Sequence, residues 1–307
     1  MNDFRGQEWR LERIEYLKAP LGWDQNQPNP FTADGGYGTG WSCFCILDED
    51  NDRIKNGRPG GELYRTHVSE ADDGSLAERR SVGPYCYLLG RRVDNIETRL
   101  ADFLRYESSQ GRKVIISLPA DFDADILVER ALQRTPNRSV VRQDDPIWVV
   151  HSTPLGNWEM IRDCGELRSI ARLRRENLPL PGVGLFAFGE QADYAEYVML
   201  GLVENIGPEH VVSSQQKGYL ITEEDVSYDP GVRLYFNGHK IIRDGLAVSD
   251  GLHTLKVYDH LPLDPYLVAA IGAKDVDPNS DVQVWTPRTF LEHANRFFQE
   301  RYCVTEP

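Results

Sequence analysis

The strand-like run "PIWVVHST" ends in a histidine and a threonine, two side chains able to do chemistry. Strand side chains alternate, so Trp148 and Val150 face one way while Val149, His151 and Thr153 face the other. His151 and Thr153 would then project together at the end of the strand. An imidazole both donates and accepts near neutral pH, and a hydroxyl beside it adds a second polar contact. A lone histidine at a strand end is more often structural, so its companions decide the reading. One companion is "LRSIARLRRE", where Arg168, Arg172, Arg174 and Arg175 make either a local site for a small anion or a solvated helix face.

Other candidates carry less. Cys43, Cys45, Cys86, Cys164 and Cys303 are an odd number whose spacings fit neither a disulfide framework nor a zinc site, so buried reduced thiols are expected. Cys43 and Cys45 share a strand face in "GWSCFCIL", but further ligands are missing nearby and no metal is expected. Cys164 beside Asp163 has no feature that marks it as a nucleophile. "GGYGTG" lacks the Gly-Lys-Ser/Thr of a phosphate loop, and "DEDNDRIKNG" lacks the ligand spacing of a calcium loop.

The elements that would position these residues divide the chain in two. Residues 20 to 84 are turn-rich with short apolar strands between. "ETRLADFLRYE" has helical spacing, and "RKVIISLPADFDADILVERALQR" reads as a buried strand and then a helix with Ile126, Leu127, Ala131 and Leu132 inward. "RTPNRSVVRQDDP" is a connector, placing the boundary near Asp145: an N-terminal α/β domain over 1–145 and a second domain over 146–307. In the second, "PIWVVHST" is a strand and "NWEMIRDCG" a helix closed by Gly165, with Trp158 and Ile161 inward. "GVGLFAF" is a strand, and "ADYAEYVMLGLV" a helix opened by Asp193 and Glu196. "HVVSS", "GYLITEE", "VRLYFNG", "HKIIRDG" and "HTLKVYDHLPL" are strands, and "RTFLEHANRFFQERY" is a closing helix with Phe290, Leu291, Ala294, Phe297 and Phe298 in one stripe. This order indicates an α+β fold.

Three of these stretches together resemble the ADP-ribosyltransferase superfamily over about Trp148 to Ile271. His151, Ser152 and Thr153, followed by Trp158, Ile161, Gly165 and Leu167, are similar to its His-Gly-Thr strand and first helix, with serine in the glycine position. "GVGLFAFGEQADYAEYVML" resembles the poly(ADP-ribose) polymerase pattern, with Gly182 and Gly184 at the glycines, Phe186 at the first tyrosine and Tyr197 at the stacking tyrosine. "HTLKVYDHLPLDPYLV" is similar to the closing strand, with Asp259 and Tyr266 matching and His253 and Thr254 where the family carries its catalytic glutamate.

The resemblance implies a split antiparallel sheet that binds NAD as substrate and cleaves its nicotinamide–ribose bond. His151 would hold the ribose, the Ser152 backbone the carboxamide, and Phe186 and Tyr197 the planar ring. Thr153 would support the strand end, Arg168 or Arg172 would meet the pyrophosphate, and His253 would orient the acceptor. Without the glutamate, polymer growth is not expected, and three options remain: transfer of a single ADP-ribose to a macromolecular acceptor, protein or nucleic acid, a glutamate from elsewhere such as Glu223 or Glu224 in "LITEED", or no catalysis. RNA 2′-phosphotransferases, which also lack the glutamate, are a second precedent, but their basic lobe with its Leu-Arg-His signature has no counterpart in residues 1–145. A module that keeps the cleft to bind NAD, ADP-ribose or a protein without catalysis is the rival from another class.

Composition narrows the partners. The chain has 307 residues, 40% of them hydrophobic and 27% charged, which suits a folded protein of two domains. A net charge of −14 disfavours an extended nucleic-acid surface. No apolar run reaches the roughly 20 residues of a membrane span. The N-terminal "MNDFRGQEWRLERIEYLKAP" lacks the apolar core of a secretory signal, so a cytoplasmic location is expected.

Overall fold

The computed structural model describes residues 9–12, 41–46, 63–65, 68–69, 80–81, 85–89, 95–118, 122–134, 139–180, 192–219, 221, 223–279, 281–282 and 284–303. It divides into two units, of which the first is Met1–Pro136 with Phe186–Ala192 and Ser249–Leu252. The second is Asn137–Leu185, Asp193–Val248 and His253–Pro307. The division thus falls at Pro136 and not at Asp145, so the connector after Asn137 belongs with the second unit.

In the first unit, β1 (Trp9–Glu12), β2 (Trp41–Ile46) and β3 (Leu63–Arg65) precede a two-stranded ribbon of β4 (Val68–Ser69) and β5 (Arg80–Ser81). β6 (Tyr85–Leu89), α1 (Ile96–Ser109), β7 (Lys113–Ser117) and α2 (Ala124–Gln133) follow. The sheet order is β1-β7-β2-β6-β3, parallel except for β3. Its core gathers Phe44, Ile46, Leu100, Phe103, Leu104, Val114 and Ile116. α2 buries a narrower stripe than its pattern suggests: Leu127 and Ala131 face the core, while Ile126 and Leu132 are 45% and 42% exposed. One α-helical contact face needs only the i, i+4 pair.

The second unit is built on a six-stranded antiparallel sheet of order β12-β13-β10-β8-β11-β15, so the chain as a whole is α+β. In chain order it runs β8 (Trp148–Thr153), α3 (Leu155–Cys164), β9 (Glu166–Arg168), α4 (Ile170–Arg175), a 3₁₀ turn Ala192–Glu196 and β10 (Tyr197–Leu202). Next come α5 (Gly207–Lys217), β11 (Val232–Asn237), α6 (Gly238–Arg243), β12 (Ala247–Val248), β13 (Leu255–Tyr258), β14 (His260–Pro262) and β15 (Leu267–Gly272). α7 (Ala273–Val276) and α8 (Pro287–Tyr302) close it.

The sheet has a core on each face, as a run of residues apolar on both sides requires. One face carries Val149, Val198, Leu200, Leu234, Phe236, Leu255 and Val257, with Trp158 and Ile161 of α3 packed against them. The other carries Val150, Tyr235, Ala269 and Ile271 under α8, whose Phe290, Ala294 and Phe298 are buried.

Three segments read as other elements fold differently. "YVMLGL" is strand β10 and not helix, because β13 pairs with it from Tyr197–Tyr258 to Leu200–Leu255. "HVVSS" lies in α5, which a proline in its first turn starts and Gly218, at φ 77°, stops. "HKIIR" is α6, opened by the Asn237 side chain accepting from the Lys240 N–H at 2.8 Å. Among the described residues of "GYLITEE" there is no strand, and "GVGLFAF" lies outside them. Of the thiols, Cys43 is buried but Cys164 is exposed at the end of α3, against expectation.

Gly231, ahead of β11, sits so close to β8 that a Cβ there would lie 2.0 Å from the Thr153 carbonyl oxygen. Gly156, near the start of α3, has open space around it. Gly231→Ala is therefore expected to lower unfolding free energy by about 2–3 kcal/mol in urea titration, and Gly156→Ala is expected not to lower it.

Candidate functional site

The ladder between β8 and β10 holds only at Val150–Gly201 and Val149–Leu202. β8 stays paired with β11 along all of Trp148 to Thr153. The sheet therefore opens beside His151. A continued ladder would use the Met199 carbonyl, and instead the His151 Nδ1 meets it at 3.1 Å. A carbonyl only accepts, so Nδ1 carries the proton and a neutral ring presents Nε2 as an acceptor. Burial, ahead of the Met199 carbonyl and the Glu209 charge that work the other way, holds His151 below the usual histidine range.

Ser152, the next residue, points to the opposite face and is buried. Its hydroxyl donates to Glu209 Oε1 of α5 at 2.5 Å. Arg233 of β11 donates to the same oxygen at 2.7 Å, and both side chains of the pair are fully buried. The Arg233 Nη2 donates to the Val203 and Asn205 carbonyls at 2.7 and 3.3 Å. Tyr228 donates to Glu209 Oε2 at 2.9 Å, and burial, with the Glu209 charge adding to it, pushes its phenol well above the usual tyrosine range. Sequence reasoning passed over this network. Its signal was a charge inside the otherwise apolar run "VRLYF", since an arginine there needs a buried carboxylate.

Tyr197 does not join His151. The pairings Val150–Gly201 and Leu200–Leu255 put Val198 and Leu200 on the Val149 face, which His151 shares, and Tyr197 on the other. There Tyr197 flanks Lys256, a fully buried lysine whose Nζ lies 4.6 Å from its ring centroid and 4.3 Å from that of Tyr194. Each such cation–π contact is worth about 2 kcal/mol when desolvated. His253 packs edge-on against Tyr194 at 4.9 Å. The expected single slot of His151, Tyr197 and His253 is thus divided by the sheet: Tyr197 and His253 belong to the lysine cluster, because strand register sets the faces. Phe186 lies outside the described residues. Thr153 is buried at the end of β8.

Arg168, Arg172 and Arg175 are matched by carboxylates. Arg168 ends β9 rather than lying on a helix, and its Nε and Nη1 meet Glu166 and Glu176 at 2.7 Å each. Arg172 of α4 meets Glu166 at 3.0 Å, Glu176 at 2.8 Å and Asp259 at 3.1 Å. Arg175 pairs with Asp259 and Glu196, and His260 lies 3.0 Å from Asp259. Against the raising effect of burial, His260, Arg172 and Arg175 hold the Asp259 carboxyl below its usual range. Asp259 adopts φ 66°, a left-handed conformation that aspartate tolerates, and so turns between β13 and β14. Glu224, a candidate carboxylate, is ion-paired to Arg288. Among the described residues no group of His, Cys, Asp and Glu could hold a metal, and no helix is long and apolar enough to cross a membrane.

A histidine held below its unfolded pKa of about 6.5 favours the folded state only while neutral. Its contribution is complete above that value and is lost as pH falls through it. Melting temperature should therefore fall more steeply between pH 7 and 5 for wild type than for His151→Gln, and equal slopes would show that the imidazole is not desolvated. Removing Glu209 as Glu209→Ala strands the Arg233 charge and is expected to cost about 3–5 kcal/mol of stability, read by chemical denaturation. No family model, curated protein or solved structure matches the chain.

Proposed function

We propose that the second unit is an NAD-dependent ADP-ribosyltransferase that cleaves the nicotinamide–ribose bond and passes one ADP-ribose to a macromolecular acceptor. The observation that carries this reading is the opening of the sheet at His151. There a neutral imidazole, oriented by the Met199 carbonyl, presents Nε2 as an acceptor for a ribose hydroxyl. Strand backbone beyond the end of the β8–β10 ladder suits the carboxamide, which needs one donor and one acceptor. When the C–N bond breaks, nicotinamide leaves with the electron pair, and the ribose carbon that becomes cation-like is attacked by the acceptor's nucleophile. This reading gives no role to Tyr197, which lies against Lys256 across the sheet, or to His253, which packs on Tyr194.

A second reading, a module that binds NAD or ADP-ribose without turning it over, is favoured by that same separation of His151 from Tyr197 and His253. Nicotinamide release from NAD by the purified chain discriminates the two. The transferase reading expects release above the spontaneous rate and a loss of at least tenfold in His151→Ala, equivalent to about 1.4 kcal/mol. Calorimetric binding of NAD with no release selects the module. No heat at millimolar NAD would remove both.

A further inference from the structure

We propose that β15 is a docking edge for a second copy of this chain, whose own β15 continues the sheet antiparallel across a twofold axis. β15 ends the order β12-β13-β10-β8-β11-β15, and among the described residues no strand lies on its outer side. Its backbone parity follows from β11. The Asn237 N–H turns toward β15, donating to the Tyr266 carbonyl at 2.9 Å, so alternation turns Tyr235 and Arg233 the same way. Their partners Ala269 and Ile271 therefore direct their backbone groups at β11, whereas Ala270 and Gly272 present theirs outward. The Gly272 N–H agrees, since it donates to the Asp275 carboxylate at 2.8 Å. Ala270 is thus the outward donor and acceptor at the middle of the edge.

Edge strands are commonly guarded against pairing by a charge, a proline or a bulge. Here the register shift falls at the start of the strand, between the partners of Tyr235 and Phe236, and "AAIG" beyond it is regular and uncharged. What selects a second copy is the charge at the two ends. Asp264 and Lys274 flank the strand, both are exposed, and neither forms an ion pair among the described residues. In an antiparallel pair centred on Ala270, Lys274 of each chain returns toward Asp264 of the other. The twofold therefore makes two complementary contacts from a single cation and a single anion. The contact is small, and the net charge of −14 on each copy opposes it, so the dimer forms at high micromolar concentration.

The test is analytical ultracentrifugation of the full chain from low to high micromolar concentration, where a reversible monomer–dimer equilibrium is expected. Lys274→Asp should weaken the dimer at least tenfold, and adding Asp264→Lys should restore it to near the wild-type affinity. Ala270→Pro removes the outward N–H without taking a hydrogen bond from β11, and should abolish the dimer while far-ultraviolet circular dichroism stays unchanged. Hydrogen exchange at the Ala270 amide is expected to slow as the chain is concentrated. A chain that remains monomeric overturns the proposal, as does a dimer that the charge swap fails to restore. Ala270 protection that is independent of concentration overturns it too, because another part of the same chain would then cover the edge.

Discussion

The second unit is organised around a carboxylate and a guanidinium that have left water together. Moving either ion alone into the interior costs several kcal/mol, which their pairing and the added hydrogen bonds offset. Glu209 receives Arg233, Ser152 and Tyr228, and Arg233 also donates to the Val203 and Asn205 carbonyls. These contacts tie β8, β11, α5 and the turn after β10 to one another. Their consequence for chemistry is a matter of parity. Ser152 must face the ion pair, so His151 must face the other way. A one-residue slip would bring the imidazole to the ion pair and the hydroxyl to the opening.

That opening is what distinguishes β8 from its neighbours. On the β11 side its six residues are paired; on the β10 side pairing stops at Val150. A strand edge inside a sheet is unstable unless its polar groups find partners. His151 supplies one by reaching the Met199 carbonyl, so the same contact that closes a structural deficit also fixes the tautomer. Structure and proposed function are coupled through this single ring nitrogen.

Elsewhere the unit handles its charge locally. Arg168, Arg172 and Arg175, which belong to what reads as a basic patch in sequence, are woven among Glu166, Glu176, Glu196 and Asp259. A patch neutralised in this way does not track a polyanion, in keeping with the net charge of −14. Lys256 lies over the faces of Tyr194 and Tyr197, whose ring quadrupoles attract a cation.

The strand ending in His151, α3 with its terminal Gly165 and the apolar stripe of α8 were legible from residue order, because alternation, a left-handed glycine and 3.6-residue spacing are local properties. The segments misread were those where local preference is balanced. "HVVSS" and "HKIIR" carry β-branched doublets, yet a proline in one first turn and an asparagine cap on the other start helices. "YVMLGL" has no such cap and becomes strand because β13 pairs with it. The residue types at the site, and the parity within β8, were determined by the sequence itself. Which face Tyr197 takes relative to His151 was decided only by the tertiary structure, through the register that sets Gly201 opposite Val150. Register is an offset between segments some fifty residues apart, chosen by the burial of Val149, Leu200 and Leu234 together, and no spacing within either segment encodes it.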